Sequence, residues 1–178
     1  MSDAGAIVWL TGLPSAGKST LAVRVHHLLL AAARPALLLD GDEVRAALSP
    51  PPGHDPAARD AFYATLGQLA LLAARQGLIV LVAATAHRRV FRARVRTRAA
   101  SEGARFIEVH VATPAEVAAS RDPKGLWAAA RAGQAPDFPD ASQYEPPLAA
   151  EITATGGEDP AAEAAILTRL GVNALPGA

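Results

Sequence analysis

Short apolar runs alternate with longer stretches of helical periodicity along this chain. Ala6-Ile7-Val8-Trp9-Leu10 is a run of β-favouring side chains that stops at the punctuation Thr11-Gly12-Leu13-Pro14, as a buried strand does. Residues 17–33 then carry Leu21, Val25, Leu28 and Leu29 at helical spacing, and Pro35 ends that pattern. Ala36-Leu37-Leu38-Leu39 reads as a second buried strand ending at Asp40, and residues 42–48 as a short helix with Asp42 near its start. Ser49-Pro50-Pro51-Pro52-Gly53-His54 is loop chemistry. Residues 56–76 predict a long helix with Leu66, Leu69, Ala70 and Ala73 inward, stopped by Gly77.

The second half repeats the alternation. Residues 78–83 are the most hydrophobic strand, 88–101 an Arg-studded helix and 106–111 a strand, and Pro114 opens the next helix. Residues 122–147 differ. They are rich in Gly, Pro, Asp and Ala, with one helix-like patch at 126–132, and read as a mobile lid. Residues 151–155 predict a last strand and 160–170 a last helix. Strands written as continuous apolar runs, each followed by a helix, predict an α/β fold with a parallel sheet covered by helices on both faces. Right-handed crossovers then put every strand's C-terminal end on one edge, where ligands bind.

Composition adjusts this picture only slightly. A chain of 178 residues suits a single domain, 1–178, and an apolar share of 51% with 19% charged residues excludes a disordered or fibrous chain. Lys+Arg and Asp+Glu both number 17, which argues against charge-driven binding to nucleic acid or an anionic membrane. With no cysteine, disulfides, thiolate metal sites and cysteine nucleophiles are excluded. Met1-Ser2-Asp3-Ala4-Gly5 has no basic region ahead of an apolar run, and no stretch is long and apolar enough to span a bilayer, so a cytoplasmic location is expected. Arg88, Arg89, Arg92, Arg94, Arg96 and Arg98 crowd one segment, to be read either as a solvated helix face or as a source of cations for an anionic substrate.

The chemistry concentrates early. Gly12-Leu13-Pro14-Ser15-Ala16-Gly17-Lys18-Ser19 satisfies G-x-x-x-x-G-K-[ST], between a predicted strand and a predicted helix. Glycines let the backbone turn its N–H groups onto phosphate oxygens, and the helix N-terminus adds positive potential. Lys18 supplies a point charge for the β- and γ-phosphates, and the Ser19 hydroxyl is a ligand for Mg²⁺. Together these predict the three-layer P-loop NTPase fold, a sheet of about five strands, and binding of ATP with Mg²⁺. Phosphoryl transfer also needs a carboxylate for the metal's shell and an acceptor for the hydroxyl proton. The 78–83 strand runs into Ala84-Thr85-Ala86 and offers none. Asp40-Gly41-Asp42 places two at the expected edge, with an N-cap at Asp42 as the structural alternative.

These residues resemble the adenylyl-sulfate kinase family, which transfers the γ-phosphate of ATP to the 3′-hydroxyl of adenosine 5′-phosphosulfate. The likeness runs from about Ile7 to Thr155. It includes the loop from Gly12 through Ser19 and on to Thr20, Asp40-Gly41-Asp42 followed by Val44-Arg45, and Phe106-Ile107-Glu108-Val109. Its most specific parts are Arg121-Asp122-Pro123-Lys124-Gly125-Leu126, Ala130-Arg131-Ala132-Gly133 and Tyr144-Glu145-Pro146-Pro147. The strand-end and loop chemistry put Asp40 and Ser19 beside Mg²⁺; the resemblance implies Asp42 as the proton acceptor or as an organiser of Mg²⁺, and Arg45 and Arg59 on the acceptor's phosphosulfate. It implies Phe138 stacked on the acceptor's adenine, Lys124 closing the lid, and Arg121 against the ATP adenine. It also implies a homodimer.

The departures fall on the acceptor side. Gly53-His54-Asp55 stands where the family has G-F-S, leaving His54 as the candidate for stacking on a base. Phe62 stands at the family's Asn, and Ala64 and Thr65 at two of its Arg positions. Thr85-Ala86-His87-Arg88-Arg89 replaces I-S-P-Y-R, so Arg88 or Arg89 is the candidate substitute cation. Three readings stay open at this point: a diverged adenylyl-sulfate kinase, a paralogue acting on a different small hydroxyl compound such as another nucleotide conjugate or a biosynthetic intermediate, and a nucleotide-binding protein without transfer.

Overall fold

The computed structural model describes residues 5–135 and 138–172. Expectations placed on residues 1–4 and on 136–137 within the lid lie outside the described residues. Five parallel strands form one sheet in the order β2-β3-β1-β4-β5. They are β1 (Ala6–Thr11), β2 (Ala36–Asp40), β3 (Ile79–Ala83), β4 (Arg105–Val111) and β5 (Ile152–Ala154). The helices are α1 (Lys18–Ala31), α2 (Gly41–Ala47), α3 (Pro56–Arg75), α4 (Arg89–Ser101), α5 (Ala115–Arg121), α6 (Leu126–Arg131) and α7 (Pro160–Arg169). Every element expected from the apolar pattern is present, with ends displaced by one or two residues.

β1 is central, and its alternating side chains divide the core. Ala6, Val8 and Leu10 meet Leu21, Val25 and Leu29 of α1 and Ile166 of α7 on one face. Ile7 and Trp9 meet Phe62, Leu66 and Ala70 of α3 and Phe91 and Val95 of α4 on the other. A period of two on the strand, read against helices of period 3.6 on both sides, explains why the strand shows no polar alternation. Leu69 departs from its expected inward place: it is exposed, and Leu71 and Ala74 are buried. The long helix presents two buried rows, one against β1 and β3 and one against α4, which moves its inward stripe off a simple i, i+4 ladder.

Local caps fix where helices begin. The Asp55 side chain accepts from the N–H of Ala58 and Pro56 opens α3, while Asp159 and Pro160 do the same for α7. The Asp122 carboxylate accepts from Trp127 and Ala128 N–H groups at 3.1 and 2.9 Å, starting α6 inside the lid. No helix among the described residues is long and apolar enough to cross a membrane.

The Arg-rich helix has a role that neither sequence reading contained. Arg92 is buried, with Nε donating to Glu108 at 2.6 Å and Nη2 to the Glu145 carbonyl at 2.7 Å. Its Nη1 donates to the Ala86 carbonyl. Arg96 bridges Glu108 and Glu151. These contacts tie α4 to β4, to Glu151 just before β5 and to the lid's returning segment. Arg94 and Arg98 are the solvated members, paired with Asp60 and Glu102.

Candidate active site

Residues 12–19 bridge the end of β1 and the start of α1, at the C-terminal edge of the sheet. Ser15 takes φ 64°, and Gly17 takes φ 101° just before the helix. A Cβ on Gly17 would lie 2.6 Å from the Gly157 nitrogen, so both conformation and space require glycine there. Lys18 folds back over the loop and donates to the carbonyls of Gly12 and Leu13 at 3.1 and 2.8 Å. Burial lowers its ammonium pKa to about 8, an effect that Asp42 and Asp40 partly offset.

β2 delivers the two carboxylates. The N-cap of α2 is Asp40, not Asp42: Asp40 Oδ1 accepts from the Asp42 N–H at 2.9 Å. Its Oδ2 accepts from the Ser19 hydroxyl. Asp40 therefore joins the helix start to the phosphate loop. Asp42 projects from the first turn of α2 and is paired with Lys124 Nζ at 2.5 Å. That hydrogen bond is the largest cause of the raised pKa of Lys124.

A cleft of about 660 Å³ brings most of the expected residues together. Pro14, Ser15, Gly17, Lys18, Ser19 and Thr20 line one end, with Arg121 and Lys124 from the lid side. Asp40 and Asp42 also line it, as do Arg45, His54, Arg59 and Phe62, and the Asp42 charge is felt both by Lys18 of the loop and by Arg45. Gly12, Leu13 and Ala16 sit behind this surface as the buried backing of the loop. The Arg45 guanidinium lies 3.9 Å from the Phe62 ring centroid, and its Nη1 donates to the carbonyls of Pro52 and Gly53 at 3.1 and 2.7 Å. Arg59 Nε donates to the His54 carbonyl at 2.6 Å.

Three residues lie elsewhere than expected. Phe138 is buried edge-on against Trp127 at 5.0 Å between ring centres and does not line the cleft. Trp127 also donates its indole N–H to the Pro14 carbonyl at 3.2 Å, so this aromatic pair braces the outside of the phosphate loop. Arg88 lies over Phe91, and Arg89 is held by Glu145 and the Pro146 carbonyl; neither lines the cleft. His87 packs between Tyr63 and Phe91, and burial, with Arg59 and Arg88 nearby, lowers its pKa to about 4. It is a neutral ring at physiological pH.

Tyr63 was missed in the sequence. It lines the cleft beside Phe62, and burial raises its pKa. The signal was present, because Arg59, Phe62 and Tyr63 stand at i, i+3 and i+4 and must share one face of α3.

One wall of this cleft suits a triphosphate and the other a second anionic molecule, with carboxylates between them. That is the arrangement of a P-loop phosphotransferase. Comparison with known proteins narrows the class: the chain matches the Adenylylsulphate kinase family model over residues 4–155 and belongs to that family. It is 45% identical over 148 residues to the adenylyl-sulfate kinase of Shewanella pealeana, covering 83% of this chain and 71% of the relative. An APS kinase from Mycobacterium tuberculosis, solved in complex with AMPPNP and APS, superposes with a TM-score of 0.83 at 36% identity, covering 93% of this chain and 96% of that one. A hexameric APS kinase from Thiobacillus denitrificans gives a TM-score of 0.66 at 30% identity, covering 95% of this chain and 29% of that one.

Proposed function

We propose that this protein transfers the γ-phosphoryl group of ATP to the 3′-hydroxyl of adenosine 5′-phosphosulfate. The observation that carries the reading is the Asp40–Asp42 pair at the β2 edge, set between the phosphate loop and the Arg45–Arg59 wall of one cleft. A phosphoryl donor bound at the first and an anionic hydroxyl acceptor at the second would meet beside Asp42. The acceptor oxygen attacks the γ-phosphorus, the bond to the β-phosphate oxygen breaks, and ADP leaves. The hydroxyl proton passes to the Asp42 carboxylate. Lys18 would turn from its own loop carbonyls to the transferring phosphate. Arg45 and Arg59 would hold the phosphosulfate, and Arg121 would lie against the donor's adenine. His54 would face the acceptor's base. Lys124 would close the lid.

The site also fits Mg²⁺. Ser19 and Asp40 offer hard oxygen donors next to the cradle, which suits an ion that keeps waters and shares phosphate oxygens. Among the described residues no group of three or more His, Cys, Asp or Glu could hold a metal by itself. The ion would therefore be held jointly by Ser19, Asp40, water and nucleotide, and when bound would neutralise charge on the phosphates. We further expect a cytoplasmic location and a homodimer; light scattering on the purified protein would test the second.

The direct test incubates purified protein with ATP, Mg²⁺ and adenosine 5′-phosphosulfate and looks for the 3′-phosphorylated product. Product formation supports the reading. Intact ATP binding with no product would move the acceptor to another anionic hydroxyl compound.

A further inference from the structure

A residue outside every phosphate-binding motif holds the back of the loop. Thr113 follows β4 and is 5% exposed. Its Oγ1 donates to the Ala16 carbonyl at 2.7 Å, across 97 residues of sequence. The Thr155 carbonyl lies 3.4 Å from the same hydroxyl. A hydroxyl has one proton, so the short contact takes it. In a planar trans peptide the C=O and N–H point in opposite directions. Anchoring the Ala16 carbonyl on Thr113 therefore turns the Gly17 N–H away from Thr113, toward the cleft that Gly17 lines.

The rest of the loop does not supply this restraint. The Ala16 N–H is spent on the Leu13 carbonyl at 3.1 Å, and the Gly17 carbonyl accepts from Leu21 at 3.0 Å to begin α1. The Ala16–Gly17 peptide lies between these two fixed points. Gly17 has left-handed φ and ψ, conformations that a glycine leaves easily when nothing holds the neighbouring peptide. The Gly157 main chain closes one side. Thr113 supplies the directional contact.

We propose that Thr113 is a positioning residue for the nucleotide: its hydroxyl sets the Ala16–Gly17 peptide so that the loop presents its amide to the triphosphate. The inference rests on residues 12–19 being the ATP cradle, and it makes no use of the acceptor's identity.

The test compares Thr113→Val, which keeps shape and loses the hydroxyl, with Thr113→Ser, which keeps the hydroxyl. Calorimetry with ATP alone reads the donor site, and steady-state assays read both KM values. Thr113→Val is expected to weaken ATP binding and raise its KM by about tenfold, leaving acceptor KM within about twofold, and Thr113→Ser to stay within about twofold of the parent throughout. A purely structural threonine would lower the melting temperature without changing ATP affinity measured well below it. Parent-like ATP binding by Thr113→Val, or equal loss in Thr113→Ser, would overturn the proposal. If Thr113→Val does not fold, the same comparison is read with Thr113→Ala. Absence of ATP binding in the unaltered protein would overturn the cradle reading itself, and this inference with it.

Discussion

Lys124 of the lid and Asp42 of α2 meet at 2.5 Å, so the carboxylate proposed as the proton acceptor is already engaged by the lid. The side chains are 59% and 71% exposed. An ion pair so open to water contributes about 0–1 kcal/mol. It is strong enough to bias the lid inward and weak enough to be exchanged for a substrate.

Lys124→Gln is therefore expected to leave the melting temperature within about 2 °C of the parent, as loss of an exposed pair should. The same change should raise acceptor KM by about tenfold, with little effect on ATP KM. Calorimetric melting and two-substrate kinetics check both halves. A large fall in melting temperature would mean that the pair is structural.

Most of this fold could be read from the chain. Apolar runs of strand length mark the strands, four of them followed within three residues by Gly or Pro or ending at Asp40, and the pattern is cleanest in the central β1 and β3, which are buried along their whole length and have almost no polar positions to confuse it. The phosphate loop could be read because its chemistry is consecutive in sequence. Other features depended on contacts between distant segments. Arg92 looks like its solvated neighbours Arg94 and Arg98 until β4 puts Glu108 beneath it. Phe138 was expected at a base and instead fills the space beside Trp127, because α6 brings that ring over Pro14. Asp40 and Asp42 were both marked, yet which of them caps α2 depends on where the helix starts, the least readable detail of a sequence.

Lys18 gives the site a pH signature. Its pKa is lowered to about 8 in the free protein, chiefly by burial. Phosphate oxygens favour the charged ammonium, so the bound form has the higher pKa. Above about pH 8 the free lysine loses its proton and must regain it on binding, so ATP affinity should fall by up to tenfold per pH unit until the bound-state pKa is reached. Calorimetry at about pH 8.5 in two buffers of different ionisation enthalpy should show proton uptake. Lys18→Arg, which does not titrate there, should abolish it.

Asp42→Asn separates binding from transfer. The amide keeps size and hydrogen bonding but cannot take the hydroxyl proton. ATP binding should stay near the parent value, and kcat should fall by roughly 10²- to 10⁴-fold. Single-turnover measurement with saturating substrates reads the chemical step directly. Unchanged turnover would remove Asp42 from the mechanism.

Phe62 tests the acceptor wall. Its ring lies under the Arg45 guanidinium at 3.9 Å, holding flat a cation assigned to the acceptor's anionic end. A cation–π contact of this kind contributes about 1 kcal/mol, so Phe62→Leu should raise acceptor KM by about fivefold. Phe62→Tyr keeps the ring face and should behave like the parent. ATP KM should not move in either variant.

The buried and exposed arginines of α4 should differ sharply in what they contribute to stability. Arg92→Met leaves Glu108 in a nearly closed site with only Arg96 to face it, and frees the carbonyls of Ala86 and Glu145. Breaking a buried pair costs about 3–5 kcal/mol, which for a chain of this length lowers the melting temperature by roughly 10 °C. Arg94→Ala removes a pair whose members, Arg94 and Asp60, are 56% and 50% exposed. That loss is about 0–1 kcal/mol, no more than a few degrees. Scanning calorimetry on the two variants decides the matter. Equal melting temperatures would mean that the Arg92 contacts do not brace the lid's return, and that α4 is held by its apolar face and by Arg96.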